Sequence, residues 1–393
     1  MLADPYLSDQ LIPYIGNKRK LLPMIRSAIE ATGLRRGVFC DLFAGSGVVS
    51  RLAKRMGFAV VANDWEPYSK VINLAYIQAN SPPPFAHLGG MEAAFAALNA
   101  LPPLAGYIAT HYCPADDENP DVERERMFYT QENGRRIDAI REQIEAWQKQ
   151  GKIDMIEEAV LLAPLIYQAS YCSNTSGVFK GFHRGWGGAT RTAWYRIRSK
   201  LTVRPPLFYD NGQVNLVLQE DAAVLAPRIE CDIAYIDPPY NQHQYGSNYH
   251  LLNTVALWDK PSVSRYIGQG TGRRGKSAIR LDWRTLRRSP YCYTATALPA
   301  FSDLVARIRA RFVLVSYSTD GIIPIDALLG VLAERGRLSV LTSPYKRYRV
   351  SSQRPSPRSH TVEFVAVVDT SAPSDPRAAR RAEEKIGEVR DGK

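Results

Sequence analysis

The chain has 393 residues, 45% of them hydrophobic, enough for one large domain carrying an insertion or for two domains. No apolar run approaches the ~20 residues of a membrane span, and the N-terminus lacks the basic-then-apolar pattern of a secretory signal, so a soluble, cytoplasmic protein is expected. Fifty basic residues against 39 acidic ones give a net charge of +11, which favours a polyanionic partner, while five scattered cysteines without CxxC spacing and six histidines without HxxxH or HExxH argue against a disulfide framework and predict no metal.

In chain order, Leu21, Leu22, Met24, Ile25, Ala28 and Ile29 have helical spacing, and Gly33 and Gly37 break the pattern. A short apolar strand over 38–43 ends in a glycine-rich turn. Val48, Val49, Leu52, Ala53 and Met56 then mark a helix that stops at Gly57, and a second strand over 58–62 ends in Asn63-Asp64. Strand, glycine turn, helix, strand and acid open a nucleotide-type α/β unit. The run Ser81-Pro82-Pro83-Pro84 interrupts it. Residues 81–205 read as a mainly helical inserted domain, with an amphipathic stretch near 122–150, an apolar helix near 153–171 and a glycine- and aromatic-rich segment over 173–186. Strands return at 214–218, 232–236, 312–317, 338–342 and 361–368. The catalytic unit is therefore expected to comprise 1–80 and 206–370, with 371–393 a disordered tail. Within it, 260–300 reads as a basic loop. Its first part, 260–288, has nine basic residues against the single acid Asp282 and is broken by glycines 268, 270, 272 and 275, so it reads as mobile. A solvated surface loop would look the same, but so one-sided a charge favours contact with nucleic acid.

Asp237-Pro238-Pro239-Tyr240 directly follows the strand over 232–236. Two prolines could simply end a strand, but the C-terminal ends of parallel strands are where open α/β sheets bind ligands. The residue types suit an exocyclic amine whose lone pair is conjugated with its ring. The Asp237 carboxylate and the rigidly held Pro238 carbonyl can accept its two hydrogens and free the lone pair, while Tyr240 offers a face for an extruded base. Asp41-Leu42-Phe43-Ala44-Gly45-Ser46-Gly47 forms the first strand-to-helix turn, where glycines permit close approach to a ligand or merely tight packing. Asp64 has the position of an acid that binds ribose hydroxyls, although a capping role would also place it there. Tyr14-Ile15-Gly16-Asn17-Lys18 precedes the first helix.

Together these segments resemble the Dam-like, α-group DNA adenine methyltransferases. YIGNKRKLL (14–22) is similar to that family's N-terminal cofactor motif, DLFAGSGVVS (41–50) to its FxGxG motif, NDWEPYS (63–69) to its ribose-binding turn and DPPY (237–240) to its catalytic motif; SYSTDGIIP (316–324) and YKRYR (345–349) resemble weaker, later ones. The resemblance implies a Rossmann-like sheet and transfer of a methyl group from S-adenosylmethionine to adenine N6 in double-stranded DNA. It also implies a prokaryotic or phage-type, nucleoid-associated protein, and allows a cognate restriction endonuclease as partner. Tyr14, Gly16, Lys18, Asp41, Phe43, Gly45 and Gly47 would serve the cofactor, with Lys18 and the 43–47 turn at its methionine end, Asp64 at the ribose and Asp221 at the adenine amine. Asp237, Pro238, Pro239 and Tyr240 would hold the target base. Asn174 to Lys180 looks like a DNA-contacting segment, so Asn174, Lys180 and Arg184 are expected to read bases, and Arg273, Arg274, Lys276, Arg287 and Arg288 to hold phosphates. The insertion, 81–205, would be the target-recognition domain, and the chain departs from the family at 181–191 and in the length of the basic loop. The alternatives are an N4-cytosine enzyme, where serine usually replaces Asp237, and an inactive DNA-binding regulator of the same fold.

Overall fold

The structure, a computed structural model, describes residues 4–188, 191, 193–268, 275–346, 360–375 and 377–391. Its centre is a sheet of seven strands: β1 (Val38–Asp41), β2 (Ala59–Asn63), β3 (Leu216–Leu218), β4 (Glu230–Ile236), β5 (Arg309–Ser318), β6 (Arg337–Lys346) and β7 (His360–Asp369). Their order is β3-β2-β1-β4-β5-β7-β6, with β7 antiparallel to both neighbours and every other pairing parallel. The expected Rossmann-like α/β sheet is thus present. The chain winds outward in opposite directions from β1 and β4, which pair through Asp41 and Tyr235. Their C-terminal ends open at one switch point, where such sheets bind ligands.

The helices used below are α1 (Leu22–Ala31), α2 (Val48–Arg55), α3 (Pro67–Asn73), α4 (Met91–Ala100), α5 (Gln131–Lys149), α6 (Met155–Tyr171), α7 (His250–Leu257), α8 (Thr294–Arg307), α9 (Ile325–Arg335) and α10 (Ala378–Asp391). None of the described helices is long and apolar enough to cross a membrane. The period-2 alternation of the strands sends Cys40, Val61, Ala234, Val313 and Phe364 to a core shared with α8, α9 and α10. Phe39, Val60, Tyr235, Leu314 and Val365 face the other side, in a core that runs without a break into Ile137, Leu161 and Ile166 of α5 and α6. The inserted block and the sheet therefore share one hydrophobic interior. Asp154 starts α6 with a capping box, accepting the Ile156 and Glu157 amides at 2.8 Å each, and the Glu157 carboxylate also takes the Phe85 amide at 2.6 Å.

Two regions depart from expectation. Residues 378–391 of the expected disordered tail form α10, which packs on β6 and α9. Ala378, Ala382 and Ile386, four apart, are buried there, but the charged residues between them dominate the composition and hide the stripe. In the basic loop, Arg126 of the inserted block is 1% exposed and holds both flanks of the glycine-rich part. Its guanidinium donates to the carbonyls of Ser264 (2.6 Å), Arg265 (3.1 Å), Gly275 (2.6 Å), Lys276 (3.1 Å) and His111 (3.1 Å). Arg280 is buried as well, paired with Asp259 at 2.6 Å and Asp282 at 3.0 Å.

Candidate active site

A cleft of about 790 Å³, counting the space open to solvent, lies at the switch point. Its walls include Tyr14, Gly16, Phe43, Asp64, Glu66, Asp221, Asp237, Pro238, Pro239, Tyr240, Arg287 and Tyr291. These residues come from six separate segments of the sequence, and the fold brings them together. Lys18, Asp41, Gly45 and Gly47 stand behind this wall rather than in it.

The turn after β1 is built from behind. Gly47 has φ +76°, and a Cβ there would come 2.4 Å from Asn73 Oδ1, so only glycine lets α2 start beside α3. The Gly45 amide donates to Asp64 Oδ2 at 2.7 Å, and Asp64 Oδ1 takes the Glu66 amide at 2.8 Å. Asp64 thus does cap its own turn, yet it also lies on the cleft wall. Asp41, expected among the cofactor contacts, is 1% exposed and points to α2, accepting the Ser50 hydroxyl at 2.7 Å. Burial raises its pKa to about 7. Glu66, which the sequence reading passed over within 63–69, is buried in the wall with its pKa raised by burial to about 7.

At one end of the cleft, Phe43 and Tyr291 meet edge to face at 5.3 Å, beside Asp221, which caps the short turn after β3 through the Ala223 amide at 2.8 Å. At the other end, Asp237 emerges from β4. Asn17 accepts the Arg19 amide at 2.7 Å and starts a single turn over Lys18–Leu21, which delivers Lys18 to Asp237. Lys18 Nζ is 3.0 Å from Asp237 Oδ1, 3.9 Å from Glu363 Oε2 on β7 and 5.0 Å from the centre of the Tyr240 ring. Burial alone would pull the Lys18 ammonium down, but Asp237, Tyr240 and Glu363 outweigh it and hold the pKa well above normal. Burial pushes the Asp237 carboxyl up, with Lys18 opposing.

Aromatic residues after the catalytic motif, absent from the sequence reading, lock the N-terminal segment in place. Tyr249 stacks on Tyr14 at 4.9 Å and accepts the Ile15 amide at 2.8 Å; Tyr245 donates to the Ile15 carbonyl at 3.1 Å. Tyr240 packs edge to face on Tyr317 at 5.7 Å, and its carbonyl takes the Ile322 amide at 3.1 Å, so the 316–324 segment braces the catalytic motif.

The expected DNA contacts separate into groups. Asn174 is fully buried: its side chain donates to the carbonyls of Met127 (2.9 Å) and His183 (3.0 Å) and accepts the Gly187 amide (3.0 Å). It therefore shapes its segment and cannot touch a base, which corrects the expectation. Lys180 stands 3.3 Å from His243, three residues beyond Tyr240. Arg184 is half exposed and paired with Glu123 at 2.6 Å. Lys276 and Arg288 are exposed, whereas Arg287 turns inward, pairs with Asp282 at 3.1 Å and lines the cleft, so it is not a surface phosphate ligand. Arg273 and Arg274, and 347–349 of the 345–349 motif, lie outside the described residues.

Residues 14–266 match the family model of the D12 class N6 adenine-specific DNA methyltransferases. The chain is 31% identical over 367 residues to the type II methyltransferase M.NlaIII of Neisseria lactamica, covering 91% of this chain and 98% of that one. It is 33% identical to the modification methylase StsI of Streptococcus sanguinis and 31% identical to the type II methyltransferase M.FokI of Planomicrobium okeanokoites, over 86% and 94% of this chain. It spans 48% and 55% of those two longer proteins.

Proposed function

Because the chain belongs to the D12 class of N6 adenine-specific DNA methyltransferases, we propose that its cleft takes S-adenosylmethionine along the ends of β1 and β2 and the target adenine at Asp237. The observation that carries this reading is that Asp237, Tyr240, Asp64 and Asp221 line one cleft. The wall suits this cofactor. Asp64, Glu66, Glu220, Asp221 and Asp237 make it acidic in a chain of net charge +11, which fits a sulfonium cation with ribose hydroxyls to bind. Phe43, Tyr291 and Asp221 suit a purine with an exocyclic amine. When bound, S-adenosylmethionine supplies an electrophilic methyl group.

The chain's own residues do the rest. Asp237 and the Pro238 carbonyl accept the two N6 hydrogens and free the lone pair for attack. Tyr240, braced by Tyr317, stacks on a base extruded from the duplex, since an amine inside the helix cannot reach the cofactor. The names of the relatives support a place in a restriction–modification pair, with an endonuclease for the same site as the expected partner.

The test combines labelled S-adenosylmethionine, genomic DNA from a methylation-free host and modification-sensitive sequencing. N6-methyladenine in one short motif is expected. Label transferred to cytosine, or none transferred, overturns the reading.

A further inference from the structure

β7 reads His-Thr-Val-Glu-Phe-Val-Ala-Val-Val-Asp. Val365 and Val367 share the face of Glu363 and lie in the apolar core, so one acid stands where the alternation calls for a third apolar residue. Glu363 is 7% exposed, and its Oε2, 3.9 Å from Lys18 Nζ, accepts no hydrogen bond among the described residues. A buried carboxylate of this kind persists when it has a charge to serve.

Lys18 makes that service necessary. It is 3% exposed, and its close partner is Asp237 Oδ1, on the carboxylate proposed to receive an adenine N–H. An ammonium sealed from water cannot be left without an anion. Resting on the proposed role of Asp237, we propose that Glu363 is the second seat of the Lys18 ammonium. Lys18 neutralises Asp237 while the base site is empty and closes onto Glu363 when the adenine amine takes the Asp237 carboxylate. Glu363 is then a positioning residue, acting through Lys18. Among the described residues, the titratable or charged groups around the pair include Asp237, Tyr235, Tyr240 and Tyr245 on and after β4 and Asp320 after β5, with the Ser318 hydroxyl also beside Glu363 and Asp41 beside Asp237.

Asp237→Asn removes the first anion without substrate and leaves Glu363 as the carboxylate facing Lys18 among the described residues. Thermal unfolding of Glu363→Gln should therefore show a further loss of about 2 °C in the Asp237→Asn background relative to wild type, and Lys18→Met should abolish that difference. An equal loss in all three backgrounds means that Glu363 is only structural and overturns the proposal. This readout needs no methyl transfer, so it stands apart from failure of the activity reading. In single-turnover transfer, Glu363→Gln should slow the reaction about 10-fold with cofactor affinity unchanged. An unchanged rate also overturns the hand-off.

Discussion

The Asn253 side-chain amide on α7 donates to Glu66 Oε2 at 2.5 Å, so a helix that follows the catalytic motif holds an acid on the cofactor side of the cleft. Burial gives Glu66 and Asp41 pKa values of about 7. Between the ordinary carboxylate range and pH 7 the folded state binds protons that the unfolded chain has released, so stability falls as pH rises through that window. Without ligand, Glu66→Gln and Asp41→Asn should each be more stable than wild type at pH 8 by about 1–3 kcal/mol and nearly equal to it at pH 5. Denaturant titrations at the two pH values check this, and parallel wild-type and variant curves would refute it.

Asp237→Ala should fold, bind S-adenosylmethionine and lose about 10²–10³ of its transfer rate, because an acceptor aimed at the reacting amine is gone. Single-turnover kinetics on saturating DNA measure the loss. A rate within a few-fold of wild type would remove Asp237 from the mechanism.

Tyr291→Ala takes away the edge-to-face partner of Phe43, worth about 0.5–1.5 kcal/mol, and should weaken cofactor binding up to about 10-fold. Arg287→Ala should act in the same direction, since Arg287 lines the cleft, and should leave DNA affinity alone. Calorimetric titration against each ligand separates the two effects; loss of DNA affinity in Arg287→Ala would return that residue to the DNA surface.

Lys180→Ala should change the methylated motif, with a penalty of about 1–3 kcal/mol at a directly read base, because Lys180 stands beside His243 near the catalytic motif. Lys276→Ala and Arg288→Ala, by contrast, should weaken all sequences alike and lower the log–log salt slope by roughly one per lost phosphate contact. Methylation-site sequencing with salt-dependent binding decides between these roles, and a motif change in the second pair would reverse the assignment.

Much of the fold was legible because its strands are apolar runs, most of them with an acid at or just after the end, and each of the seven lies within a few residues of its expected place. The catalytic motif and the glycine turn were legible for the same reason: each sits at a strand end, where position alone carries meaning. What stayed hidden depends on contacts across hundreds of residues. Lys18 gives no sign that its partner is Asp237, nor Glu66 that Asn253 will meet it. Asn174 shows the limit of transferring a motif, because a polar residue in a DNA-contacting segment can be spent wholly on the backbone around it. Glu363 did leave a trace, a lone acid within 361–368, but that stretch was read only as a strand.

Arg126 bears on how the inserted block can be exchanged. The flanks of the basic loop hang on a side chain contributed about 140 residues earlier, and Arg126→Met would leave several carbonyls without a donor, at a cost of roughly 2–4 kcal/mol. A recombination event or an engineered graft that exchanged 81–205 alone would separate that arginine from the carbonyls it holds. The two stretches, 81–205 and 259–288, are then one exchangeable unit, and a chimera should keep its stability only when both come from the same parent.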